Sequence, residues 1–195
     1  MADSADMLAA YTIMGNVDKF TTVSCFGLAG ATAVILGKSI GEGASRDRVY
    51  DLSWCLLIVS FLLGLILAGL LAVALPTLFI PYLYPLFSLS PLATRAAVML
   101  CVVYLILLPL KSFDISNITG VLRAGGDVRM ATVIDLTPLW GVAVPVSALA
   151  ALVFDAPLPV VCLGIYSENL CKMPWGIHRL RSRKWINDVT RRDAS

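Results

Sequence analysis

Residues 52–94 read LSWCLLIVSFLLGLILAGLLAVALPTLFIPYLYPLFSLSPLAT, 43 residues without one Asp, Glu, Lys, Arg or His. A single bilayer span needs only about 20 such residues, so this run holds a full span and its exit loop. Its first part is Leu/Ile/Val/Ala-rich. Prolines and aromatics take over in FIPYLYPLF, the composition expected where a helix leaves hydrocarbon for the headgroup region. The whole chain agrees: with 58% hydrophobic and 14% charged residues, a water-soluble domain could not cover its surface with polar groups. The fold class read from this is an all-α integral membrane protein.

Working outward, four more spans emerge. Phe20–Leu36 is strongly apolar and extends back to about Leu8, and Leu136–Phe154 is its equal. Another runs from about Leu92 to Asn117 and is interrupted by Lys111 and Asp114. The last, Pro157–Ile177, is the most polar. Its Glu168 and Lys172 stand at i and i+4, where they can pair on one helix face near its end. Five transmembrane helices are therefore expected, over about residues 8–36, 52–78, 92–117, 131–154 and 157–177. They form one membrane lobe over 1–178, followed by a basic cytoplasmic tail over 179–195.

Positive charge sets the expected orientation, because Lys and Arg beside short loops stay cytoplasmic. Of 15 Lys and Arg, 12 fall in three segments: Lys38, Arg46 and Arg48; Arg123 and Arg129; and Lys172, Arg179, Arg181, Arg183, Lys184, Arg191 and Arg192. With five spans these segments share one face, so the amino terminus is expected outside and the carboxyl terminus inside. MADSADMLAA is no secretory leader, since it lacks a basic region followed by an apolar core and cleavage site. An outside amino terminus of that kind is what the tail of a longer protein would have. The tail RLRSRKWINDVTRRDAS suits an anionic lipid surface, with Trp185 at the interface, and a nucleic-acid partner is not expected.

The cysteines, Cys25, Cys55, Cys101, Cys162 and Cys171, lie in or beside apolar spans without metal or disulfide spacing, which makes them packing residues. Gly37-Lys-Ser-Ile-Gly-Glu-Gly43 lacks the spacing and the preceding strand of a phosphate-binding loop. It follows a span rich in small residues (Gly27, Ala29, Gly30, Ala31, Ala33), which lets helices approach closely. Leu122-Arg-Ala-Gly-Gly-Asp127 reads as a helix stop, with a cation at the negative dipole end and glycines free to take positive φ. Pro138, Trp140 and Pro145 suggest a kinked, tightly packed helix. His178, the only histidine, is expected at the interface.

The combination GLAGATAVILGKSIGEG at 27–43, GVLRAGGDVR at 120–129, Asp135 followed by PLWGVAVP at 138–145, and SENLCK at 167–172 leading into RLRSRKWINDVTR is specific. In order and spacing it resembles the carboxyl-terminal lobe, helices eight to twelve, of the multidrug and toxic compound extrusion (MATE) family. The resemblance covers nearly the whole chain and implies secondary transport. Members have twelve helices in two six-helix lobes and expel organic, often cationic, compounds in exchange for sodium ions or protons across a bacterial-type plasma membrane. No enzyme activity and no bound cofactor is implied beyond the coupling ion. Helices one to seven, with half of the central cavity, fall outside the resemblance and are the implied partner, in cis or in trans. Alternating access moves one repeat against the other, so this chain is expected to be inactive alone.

Candidate binding residues follow from the cost of burying charge in a bilayer. Lys111 and Asp114, three apart, share one helix face. Either they neutralise each other near the interface, or Asp114 lines the cavity and meets a cation. Asn117, three residues further, could add an uncharged ligand. Asp135 opens the next span, where the helix dipole alone would stabilise it. Asp18 and Lys19 are adjacent, point in different directions and need partners from elsewhere, such as helix seven or the other lobe. The alternatives are a lipid-linked precursor flippase of the same superfamily, whose cavities are lined by several basic residues, and a non-transporting assembly module. A membrane-bound enzyme has no supporting motif.

Overall fold

The computed structural model describes residues 2–87, 90–154, 156 and 158–187. Ser88, Leu89, Asp155, Pro157 and the tail from 188 onward, with Arg191 and Arg192, lie outside the described residues. Among those described there is no strand, only five long helical rods. They are α1 (Ala2–Gly41), α2 (Arg46–Leu86), α3 (Pro91–Leu122), α4 (Val128–Leu152) and α5 (Leu158–Arg181). The all-α membrane fold expected from the sequence is present. By length and composition, α2, α3, α4 and the stretch Tyr11–Gly41 of α1 can each cross a bilayer; α5 carries Glu168 and Lys172 and is a 24-residue helix packed alongside them.

Local chemistry explains the boundaries. Ser45 caps α2, accepting a hydrogen bond from the Arg48 amide at 3.4 Å, with Asp47 in the first turn. Ser90 caps α3, taking the Ala93 amide at 3.2 Å, and Pro91 follows where its missing N–H costs nothing. Gly43 (φ 76°) and Gly126 (φ 83°) end α1 and α3 in the left-handed region.

The prolines behave differently from expectation. Pro76, Pro81 and Pro85 do not end α2, which continues beyond residue 78 to Leu86. Over Leu75–Leu83 it widens into π-type turns, and α4 does the same over Leu139–Ala143, right after Pro138. Each ring removes one i→i−4 donor, and in a solvent that cannot replace the bond the backbone re-pairs at wider spacing rather than unwinding. Trp140 at the α4 widening is 68% exposed. The proline-linked irregularity takes the form of these π-type turns, and the tryptophan faces outward instead of packing tightly.

The middle rod organises the others. Half of the most apolar stretch of α3 is buried, against 28% for α1 and 17% for α2 and α4. Small residues let its neighbours close in. A Cβ on Gly64 of α2 would stand 2.6 Å from Pro109 Cα, and one on Gly120 would stand 3.0 Å from the Ala29 carbonyl oxygen of α1. Ser112 Oγ donates to the Ser60 carbonyl at 2.7 Å across the first of these contacts. In the small-residue run of α1, Ala29 is the buried contact whereas Gly27 and Gly30 face open space. Phe20, Val23, Ile66, Leu70 and Val73 are more than half exposed, an apolar belt that only hydrocarbon makes favourable.

Two apolar clusters bracket the bundle. Leu36, Val49, Leu57, Val121, Leu122, Ile134, Leu180 and Trp185 pack near the basic turns. Ile13, Met14, Tyr84, Leu100, Tyr104, Leu108 and Cys162 pack towards the other end. Ser112, Asp114, Ser116 and Asn117 are also buried, giving α3 a polar stretch within an apolar surround, and Thr32 of α1 is a further buried polar residue.

Candidate functional site

The polar stretch opens on a cavity of about 180 Å³ lined by residues of α1, α3, α4 and α5, among them Lys111, Asp114, Asp135, Glu168 and Lys172. Asp114 is 3% exposed, and neither of its carboxylate oxygens has a hydrogen-bond partner. Lys172 Nζ donates to Asp135 Oδ1 at 2.9 Å and stands 3.3 Å from Glu168 Oε2, an ion contact without hydrogen-bond geometry. The Glu168–Lys172 pairing read from i,i+4 spacing is thus present, with Asp135 as a third member.

Lys111 is turned away from Asp114. Its ammonium pairs with Asp18 of α1 and lies 5.5 Å from the centroid of the Tyr104 ring. The self-neutralising Lys111–Asp114 pair is therefore not formed, and Asp18 finds its partner on α3 rather than in another lobe. Asp135 also differs from expectation. It lies two turns inside α4, which begins at Val128, so Lys172 and not the helix dipole is its main stabiliser, since the dipole fades beyond the first turn.

Asn117 shares a helix with Asp114 but not the cavity. It is fully buried, 2.7 Å from where a Cβ on Gly176 of α5 would stand, and both its amide atoms are unpartnered. The reason is local: α3 widens into π-type turns over Ser116–Leu122, which increases the residues per turn and breaks the i,i+3 alignment. No group of three or more His, Cys, Asp or Glu side chains placed to hold a metal ion occurs among the described residues.

Residues 2–149 match the MatE family. The chain belongs to the MatE family. It is also 26% identical over 182 residues to a protein of Bacillus subtilis (strain 168) named "Uncharacterized transporter YisQ". That alignment covers 93% of this chain and 38% of the relative, so the chain spans well under half of the length of the transporter it resembles. No solved structure matches the chain significantly. MatE is a family of membrane transporters, and the cavity bounded by α1, α3, α4 and α5 is the candidate site on this MatE chain.

One tryptophan of the MatE chain is not where its residue type suggests. Trp185, expected at the lipid interface, is fully buried. Its ring covers Gly125 so closely that a Cβ there would collide with it, its Nε1 donates to the Leu180 carbonyl at 3.0 Å, and Asn187 N donates to the Gly125 carbonyl at 2.9 Å. Arg179 meets Asp127 at 2.5 Å and Arg183 meets Asp47 at 2.5 Å. The α1–α2 turn, the α3–α4 turn and the segment after α5 are thereby tied together at one end. Of the basic residues singled out by charge, Lys38, Arg46, Arg48, Arg123, Arg129, Arg179, Arg181, Arg183 and Lys184 lie in or next to these turns and this segment, whereas Lys172 lies in the cavity. The signal available in the sequence was the Gly125-Gly126 pair, whose first glycine is needed for Trp185 and whose second is needed for φ.

Proposed function

We propose that this chain forms one wall of the central cavity of a cation-coupled antiporter, with sodium or proton as coupling ion, that expels organic and mainly cationic compounds. The observation that carries this is Asp114, a buried carboxylate facing a cavity with no internal partner. Such a group is costly in a membrane protein unless a cation visits it. The cavity is lined by three acids, Asp114, Asp135 and Glu168, against the two bases Lys111 and Lys172, and Asp18, paired with Lys111, adds a fourth acid beside it. That excess favours cations and argues against the flippase reading, which needs a basic cavity. The remaining wall would come from helices one to seven, in cis or in trans, because alternating access needs two repeats.

The test uses this chain joined to an amino-terminal lobe, in bacteria lacking their own pumps. Asp114→Asn is expected to reduce ethidium efflux by about tenfold, the worth of about 1.4 kcal/mol, with protein abundance unchanged. Wild-type efflux from Asp114→Asn would remove the carboxylate from the mechanism. We propose that the basic end lies on the cytoplasmic side of a bacterial-type plasma membrane, because Lys and Arg beside short loops stay cytoplasmic. A reporter fused to the carboxyl terminus that works only in the cytoplasm is expected to be active, and silence there with activity outside reverses the orientation.

A further inference from the structure

Lys111 stands between two carboxylates. Asp18 on α1 holds it, with Thr22 Oγ1 donating to the same Oδ1 at 3.5 Å, while Asp114 lies one turn further along α3 and has no partner. Side chains three apart on a helix have Cβ atoms about 5–6 Å from each other, well within the sweep of a flexible four-carbon stem. Both Lys111 and Asp114 line the cavity. The other cation there is engaged: Lys172 is held between Asp135 on α4 and Glu168 on α5. Of the other titratable neighbours, Tyr104 on α3 offers Lys111 a ring face rather than a charge, Tyr166 on α5 stacks on Tyr104 with centroids 5.9 Å apart, and Cys25 on α1 is a buried thiol near Lys111 and Asp18.

We infer that Lys111 is a tethered competitor for the cation position at Asp114, exchanging between Asp114 and Asp18. When a cation occupies Asp114, Lys111 is displaced onto Asp18 and bolts α1 to α3. When the cation leaves, the buried carboxylate draws Lys111 across, because an unpaired charge is costly in low dielectric, and α1 is released. The arrangement seen here leaves Asp114 open to a cation. Binding at one carboxylate is thus converted into a helix–helix contact at another, the two-state element that coupling requires. The inference rests on the reading of Asp114 as the cation-accepting group.

The exchange has a signature that a static ion pair lacks. Ethidium binding to the full chain in detergent, in sodium-free buffer at fixed pH, is followed by fluorescence anisotropy. Removing the competitor in Lys111→Met is expected to lower the Kd by about threefold or more, because the competent fraction rises. Removing the alternative partner in Asp18→Asn drives Lys111 onto Asp114 and is expected to raise the Kd by a similar factor. The double variant Asp18→Asn/Lys111→Met should bind like Lys111→Met, and it decides the matter even if the single lysine variant folds poorly. Two variants that shift the Kd in the same direction, or a double variant that binds like wild type, would overturn the exchange while leaving the cavity reading intact. Unchanged binding in Asp114→Asn would overturn both.

Discussion

Two neighbouring stretches of α3 are built on opposite terms. At its end, residues 121–127 and the segment 179–187 leave little unsatisfied: Trp185 fills the space over Gly125, Arg179 answers Asp127, and the Asn187 amide finds the Gly125 carbonyl. One to two turns earlier, Asp114, Ser116 and Asn117 are as deeply buried, yet their side-chain polar atoms lack partners. Buried polar groups are normally hydrogen-bonded because each orphan costs about 1–3 kcal/mol. The contrast teaches that the anchored end supplies the rigidity that holds an under-satisfied site open, and that the cost of the second is met by the packing of the first.

Breaking the anchored side should give the largest effect. Trp185→Ala removes a fully buried ring and its hydrogen bond, and large-to-small changes of this kind cost about 3–5 kcal/mol. The unfolding midpoint in detergent should fall sharply. A loss below about 1 kcal/mol would mean that the segment after α5 is not pinned.

The site should respond with the opposite sign. Asp114→Asn removes an unpartnered charge while keeping its shape, and is expected to raise stability by about 1–3 kcal/mol while cation binding is lost. Gains in stability bought at functional positions follow this pattern. A destabilised Asp114→Asn protein would show that the carboxylate has a structural partner other than Lys111, which has Asp18 to return to, and the contrast between the two stretches would collapse.

The smallest effect sharpens the comparison from within the anchored end. Asp47 and Arg183 pair at 2.5 Å, but their side chains are 78% and 46% exposed. Such pairs contribute about 0–1 kcal/mol, so Asp47→Asn should shift the midpoint hardly at all. A loss approaching that of Trp185→Ala would assign the anchoring to charge rather than to packing.

How far the sequence alone reached can be judged residue by residue. The uncharged run at 52–94 dictated a membrane solvent, because transfer free energy is a local quantity that adds along the chain. The glycines at 125 and 126 marked a helix end, because φ preference is local too. The i,i+4 spacing found Glu168 with Lys172, since helix geometry alone brings those positions together. The same reasoning failed for Lys111, which chose Asp18 from a helix 93 positions away over Asp114 three positions along. It failed for Asn117, which the π-type widening of α3 carried off the face of Asp114. It failed for Trp185, buried by a glycine 60 residues earlier. Composition and periodicity determined the solvent, the rods and where they end. Which charges pair, which carboxylate stays bare and which ring is buried were settled only when five helices took their rotations about one another, because side-chain partnership depends on neighbours distant in sequence and on a helical twist that spacing assumes to be uniform.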